Sequence, residues 1–141
     1  MDSMEKEQAV RKFINFCVKE LNLPNPPQIK FITGEKFHGG SCYYNDIEHY
    51  TIEINSVNLD DPKKIIKVVA HEVWHAYQKM KAENPQTCKD YLYLINFLLY
   101  IPATSNGKTA DCYKRYYDQL VEAEARAFAS YVISKFGDDF K

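Results

Sequence analysis

Two histidines and a glutamate are the residues of this chain whose types and spacing point most directly to chemistry. They lie together in the segment His71-Glu72-Val73-Trp74-His75. Residues i and i+4 lie above one another on a helix, so both imidazoles can reach one metal ion, and neutral imidazole is a ligand that suits Zn²⁺. Glu72 follows the first histidine, where its carboxylate can take a proton from a water molecule. The segment therefore predicts a zinc site with a general base beside it.

The alternative is that both histidines are ordinary residues of a core helix. Burying two imidazoles and a carboxylate without a ligand is costly, and a metal ion removes that cost. A chance H-E-x-x-H is also rare in a chain with 4 histidines, on the order of one chain in a hundred. The zinc site is therefore the stronger interpretation.

A catalytic zinc ion usually takes three protein ligands, so a third must come from elsewhere in the chain. The downstream candidates are Glu122 and Glu124. Residues two apart lie about 200° apart around a helix, so only one of them can face the metal. Glu124 lies on an apolar stripe, where a carboxylate needs a partner. Glu122 lies on a face of small residues, or could form a surface ion pair with Arg126. Periodicity alone leaves the choice open.

The elements that must position these residues follow from hydrophobic spacing. Apolar residues at helical spacing predict four helices. Short segments in which apolar and polar residues alternate, bounded by Gly and Pro, predict three strands, most simply a small antiparallel sheet. Asp60-Asp61-Pro62 is typical of a helix start. The order indicates one α+β domain over residues 1–141. The predicted helices cover residues 5–21, 63–81, 88–100 and about 110–136, and the predicted strands cover residues 28–32, 41–44 and 50–55.

Composition narrows the function classes. Lys+Arg is 18 against Asp+Glu 19, a formal net charge of -1, which predicts no nucleic-acid partner and no anionic membrane partner. Residues 1–10 lack the apolar run of a signal peptide, so we expect a cytoplasmic protein. The apolar stretch 91–103 is too short to span a bilayer and is expected to be a buried helix. The 4 cysteines are expected to be thiols, with Cys88–Cys112 the one pairing to consider.

The residues HEVWHAYQ, followed by an E-x-x-A-x-x-F-A pattern that begins at Glu122, resemble gluzincin metallopeptidases. In particular they resemble the small ImmA/IrrE-like peptidases of phages and mobile elements, over roughly residues 39–80 and 115–133. The resemblance implies a minimal zincin-like domain, Glu122 as the third zinc ligand, and an edge strand that binds a protein or peptide substrate. The segment between His75 and Glu122 is longer than is usual in that family, by an insertion at residues 84–111.

Other roles stay open at this point. A peptidase needs a donor for the oxyanion, and Tyr116, Tyr117, Tyr43 and His49 are all eligible; Tyr116 and Tyr117 are the leading candidates. The interpretation is a zinc metallopeptidase with a narrow set of protein substrates. One alternative is a catalytically inactive regulatory domain that keeps the zinc. Another is an interaction domain without metal, whose aromatic-rich residues 91–117 bind a protein.

Overall fold

A computed structural model describes residues 3–33, 39–100, 114–115 and 117–136. One helix is followed by three strands and then by further helices, an α+β arrangement in agreement with the fold class predicted from the sequence. The helices are α1 (Ser3–Glu20), α2 (Pro62–Glu83), α3 (Cys88–Leu98) and α4 (Leu120–Phe136), and the strands are β1 (Gln28–Ile32), β2 (Gly40–Asp46) and β3 (His49–Asn55). A short 3₁₀ turn, Ser56–Asn58, links β3 to α2.

Helix α1 ends in a hydrogen-bonded backbone turn that precedes the prolines of the following segment. Asn22 adopts a left-handed conformation with φ 54°. The N–H groups of Asn22 and Leu23 then donate to the carbonyls of Lys19 and Val18 at 3.1 and 3.0 Å. These two bonds satisfy carbonyls that the end of a helix leaves open, in the Schellman arrangement. The turn directs the chain from α1 towards β1.

The sheet is mixed, and the prediction of an antiparallel sheet is wrong for β1. The strand order is β1-β3-β2. β2 pairs antiparallel with β3, but β1 pairs parallel with β3, in a register that runs from Gln28 opposite Thr51 to Ile32 opposite Asn55. Alternation along a strand indicates which face is buried but carries no information about the neighbouring strand. β3 is thus the central strand, and its Ile52 and Ile54 are fully buried.

Helix α2 is the centre of the fold. Asp61 caps its N-terminus by accepting from the Lys64 N–H at 3.2 Å, and Pro62 occupies the first turn, as predicted. Packing surrounds α2 with α1, the sheet, α3 and α4. Buried residues accordingly lie on several of its sides, a pattern typical of a central helix. They include Ile65, Ile66, Val69, Ala70, Val73 and Ala76.

Helix α3 begins with a capping box in which the side chains of Thr87 and Asp90 each accept from the other's backbone N–H. The expectation that this apolar stretch is a buried helix is wrong for most of its described residues. Tyr93 is buried, but Ile95 and Leu98 are 52% and 75% exposed. One side of α3 packs on α2 and α4, and the opposite side, although apolar, contacts neither. Among the described residues, no helix has the length and apolar character to cross a membrane.

Residues 114–115 and 117–118 are helical, as predicted, and α4 follows them from Leu120 after a bend at residue 119. The remaining residues of the predicted helix before that bend, 110–113 and 116, lie outside the described part. The start of α4 is fixed by α3, because Asn96 Oδ1 accepts from the Val121 N–H and Asn96 Nδ2 donates to Gln119 Oε1, both at 2.9 Å. An amide side chain on one helix thereby satisfies an N–H group that the start of another helix leaves open.

Candidate metal centre

The two histidines of the predicted motif lie one turn apart on α2 and face the same cleft. His71 is half-buried and His75 is buried. Their ring centroids are 4.7 Å apart and the rings meet edge to face at 80°. The i,i+4 spacing therefore has the consequence expected from the sequence, since both imidazoles reach one point beside the helix.

Glu122 on α4 meets both histidines at that point. Its Oε1 lies 2.9 Å from His71 Nε2 and 3.2 Å from His75 Nε2. The side chain is only 2% exposed. The small buried residues Ala125 and Ala129, which share its face, allow α4 to approach α2 closely. The alternative surface pair with Arg126 is not what the structure has, because that guanidinium lies 3.3 Å from the centroid of the Tyr117 ring and donates to the Tyr117 carbonyl.

Glu122 is held as a carboxylate. Burial by itself raises the pKa of this group, but the hydrogen bonds from His71 and His75 outweigh burial and bring the pKa far below its ordinary value. Tyr100 adds a third hydrogen bond from the other side, its hydroxyl donating to Glu122 Oε2 at 2.6 Å. Sequence reasoning missed Tyr100, because a position at the end of the predicted helix 88–100 does not show whether the side chain faces the cleft.

Glu72 lines the same cleft as the two histidines and Glu122. Burial, reinforced by the nearby charge of Glu122, raises its pKa to about 7, although His71 and Lys79 act in the opposite direction. A carboxylate with a pKa near neutrality is suited to accept a proton and return it during a reaction.

Gln78 is a further residue of the site that sequence reasoning missed. It is fully buried, and its Oε1 lies 2.9 Å from His75 Nδ1, the ring nitrogen that faces away from Glu122. A signal for it existed, since positions 71, 75 and 78 share one face of a helix. Among polar residues on a helix face, however, this spacing alone does not distinguish a partner of the site from an ordinary buried amide.

Glu124, the alternative third ligand, points to a different group of side chains. Its Oε1 accepts from the Trp74 indole at 3.3 Å and from the Tyr93 hydroxyl at 2.5 Å, and its Oε2 pairs with Lys89. Two residues along α4 thus separate the two glutamates into two environments, as the rotation of about 200° requires. The residues whose ligand atoms lie within 4.8 Å of one another are His71, His75 and Glu122.

The cleft, of about 1390 Å³, runs between the start of β2 and the facing helices. Gly39 and Gly40 allow β2 to approach α2, because a Cβ atom at either position would lie 2.3 or 2.7 Å from a methyl group of Val68. Tyr43 and Tyr117, two of the eligible donors, border the cleft. Tyr116 lies outside the described residues. His49 is exposed and pairs with Asp46 at 2.9 Å.

The three cysteines that the structure describes do not contribute to this cluster of ligands. Cys42, on the edge strand, lines the cleft, but burial and then the charge of Glu72 raise the pKa of its thiol to about 12, so it is a thiol rather than a thiolate. Cys17 is a buried thiol and Cys88 an exposed one at the start of α3. Cys112, the partner considered for Cys88, lies outside the described residues.

Comparison of this chain with protein-family models, with curated proteins and with solved structures found no match.

Proposed function

We propose that this chain is a zinc-dependent peptidase of gluzincin type, with a minimal zincin-like fold similar to that of ImmA/IrrE-like enzymes. His71, His75 and Glu122 would hold the zinc ion and Glu72 would act as the general base. The observation that carries the proposal is the convergence of two imidazole nitrogens and one carboxylate oxygen, all within 4.8 Å of one another, at a cleft that also contains Glu72.

The chemistry of the donor set supports a metal at this point. His75 Nδ1 lies beside the Gln78 oxygen and His75 Nε2 lies 3.2 Å from Glu122 Oε1. A neutral imidazole has one N–H, so it can donate to only one of these two acceptors. A cation bound between Nε2 and Oε1 would satisfy both lone pairs without a second ring proton. Two histidines and one glutamate are also a ligand set that catalytic zinc takes.

A zinc ion held by these residues would supply a Lewis acid that makes water nucleophilic at neutral pH. Glu72 would act on that water, taking its proton as it attacks and returning the proton to the nitrogen of the cleaved peptide bond. Tyr117, one of the two leading candidates from the sequence, borders the cleft and would stabilise the developing negative charge on the carbonyl oxygen. Tyr100 holds Glu122 from the side opposite the histidines.

A substrate chain could lie along β2. This strand is at one end of the order β1-β3-β2, and residues 40–43 line the cleft beside Glu72. The backbone groups on its outer side have no neighbouring strand among the described residues. An extended peptide could pair with such an edge and bring one of its carbonyl groups to the histidines.

The first test is the metal content of protein purified without a metal-affinity tag, measured by plasma mass spectrometry. The proposal requires about one zinc per chain in the wild type and its loss in Glu122→Ala, with Glu124→Gln retaining metal. A wild type that stays free of transition metals after zinc is added back would contradict it.

The second test concerns hydrolysis. Zinc-loaded wild type is incubated with a proteome-derived peptide library, and new termini are counted by mass spectrometry. Glu72→Gln should bind zinc normally but lose at least about 100-fold in rate, the usual contribution of a general base. Glu48→Gln, an exposed change in the turn between β2 and β3, is the matched control. Because the substrate range is expected to be narrow, Glu72→Gln also serves as bait for a protein partner that the wild type is then asked to cleave. A partner that is bound but never cut would favour the inactive regulatory domain.

A further inference from the structure

The orientation of the Gln78 side chain is determined by what surrounds it. Its Nε2 lies 3.1 Å from the Val121 carbonyl oxygen and 3.4 Å from Glu124 Oε1. Both of these atoms only accept hydrogen bonds, so the amide NH₂ group must face them. The Gln78 oxygen must then face His75 Nδ1, 2.9 Å away. It follows that Nδ1 of His75 carries a proton, and this would be the only proton of the ring once Nε2 binds zinc.

Glu124 in turn is fixed from three directions. The Trp74 indole and the Tyr93 hydroxyl donate to its Oε1, and the Lys89 ammonium pairs with its Oε2. These partners come from α2 and α3, whereas Glu124 belongs to α4. The carboxylate therefore cannot turn away from Gln78 without breaking contacts with both other helices.

We propose that Gln78, held by Glu124, is a positioning residue that keeps the His75 proton on Nδ1 and thereby presents Nε2 as the ligand nitrogen. The inference rests on the proposed zinc site and extends it to the residues behind the ligands. Histidines that bind metals commonly donate their second ring N–H to such a partner, which orients the ring, and loss of the partner typically weakens metal binding by about 10- to 100-fold.

Zinc affinity, measured by competition with a chromogenic chelator, tests the proposal. Gln78→Met keeps the length of the side chain but removes the oxygen, and should weaken zinc binding by about 10- to 100-fold. Val132→Ala is the control, because it opens a cavity on the same helix as Glu122, in a residue only 2% exposed, without touching a ligand. It should lower stability but leave zinc affinity within about twofold of the wild type, since lost packing far from the ligands does not alter them.

Glu124 provides a conservative rescue. Glu124→Gln keeps an oxygen for Trp74, Tyr93 and Gln78 and should retain most of the zinc affinity. Glu124→Leu removes that oxygen and should behave like Gln78→Met. This pair also distinguishes a positioning role from direct ligation, because a glutamate that bound zinc itself would lose most of the affinity in both variants.

A spectroscopic readout reports the hydrogen bond itself. In zinc-loaded protein labelled with ¹⁵N-histidine, the His75 Nδ1–H signal should be downfield and protected from exchange in the wild type and in Glu124→Gln, and should lose both properties in Gln78→Met. Zinc on Nδ1 of His75 in the wild type, or a Gln78→Met affinity within twofold of the wild type, would overturn the inference while leaving the zinc site intact. A wild type that binds no zinc would overturn the proposed function itself, and this inference with it.

Discussion

The close approach of β2 to α2 can be tested with one added methyl group. A Cβ atom at position 39 would lie 2.3 Å from Val68 Cγ2, and the other nearby atoms, at 3.4 and 3.5 Å, also belong to Val68. Valine in a helix is nearly restricted to one rotamer, so the methyl group cannot simply turn away. Overpacking of this kind costs about 1–3 kcal/mol. Replacing glycine by alanine also restricts the unfolded chain, which stabilises the fold by about 0.4–1 kcal/mol. Gly39→Ala should therefore lower the free energy of unfolding by roughly 1–2 kcal/mol.

In a Val68→Ala background the sign should reverse. The atom at 2.3 Å is then absent and the remaining Cβ contact of 3.4 Å is ordinary, so Gly39→Ala should be neutral or stabilising, by up to about 1 kcal/mol. Gly40→Ala is the matched control. Its Cβ would also lie 2.6 Å from the Glu53 carbonyl oxygen, which no side-chain change removes, so it should destabilise in both backgrounds.

The measurement is urea unfolding in a chelating buffer, which keeps any bound metal out of the comparison. The chain contains 1 tryptophan, and Trp74 packs against Tyr77 and Phe128, with ring centroids 4.7 and 4.8 Å away, so its fluorescence reports the packing of α2 on α4. An equal loss for Gly39→Ala in both backgrounds would refute the reasoning, because the cost would then come from something other than Val68.

Three further predictions concern stability and thiol reactivity. Asn22→Gly should leave the free energy of unfolding within about 0.5 kcal/mol of the wild type, whereas Asn22→Ala should lower it by about 1 kcal/mol, because alanine tolerates the left-handed conformation poorly. Urea unfolding of both variants checks this, and equal values for the two would contradict it. Burial raises the pKa of Glu124, but the hydrogen bonds that it accepts from Lys89, Tyr93 and Gln78 outweigh burial and lower it. The contribution of ionised Glu124 to stability should therefore be complete above the unfolded pKa of about 4.3 and be lost as pH falls through the folded pKa. The melting temperatures of wild type and Glu124→Gln, measured between about pH 6 and 3, should converge towards low pH. A constant difference between them would exclude the effect. Iodoacetamide should modify the exposed Cys88 in the native protein but reach Cys17 only on unfolding. Burial, and to a smaller extent the charge of Glu20, raises the pKa of the Cys17 thiol to about 12. Peptide mapping after timed quenching measures the two rates, and equal rates would contradict the burial of Cys17.

Helical periodicity was sufficient to predict the arrangement of the motif, because the spacing of His71 and His75 determines their common direction once α2 forms. It could not choose between Glu122 and Glu124, since either face of α4 can be turned towards α2 by tertiary packing. The structure turns Glu122 to the histidines and gives Glu124 partners of its own. The family resemblance implies the same glutamate as the third zinc ligand, and that role stays a prediction.

The sheet illustrates a different limit. Burial of alternate residues identified three strands, and β2 and β3 are joined by a short turn that sets their antiparallel pairing. Nothing local to β1 says that it pairs parallel with β3. Likewise, the roles of Gln78 and Tyr100 depend on atoms contributed by other elements, so their functions appear only when the helices are assembled.

The central position of α2 also bears on which motions the protein can make. Amide hydrogens in the middle of α2, near Val69 and Val73, lie under α1, the sheet and α4, so they can exchange with solvent only when several elements separate at once. β2 is covered on one side only, and its outer edge can open in smaller fluctuations. His71, Glu72 and His75 therefore belong to α2, the element that opens least readily. The facing wall of the cleft belongs to β2, an edge strand that opens more easily. A cleft built in this way can widen to admit a chain without disturbing the relative positions of the three side chains.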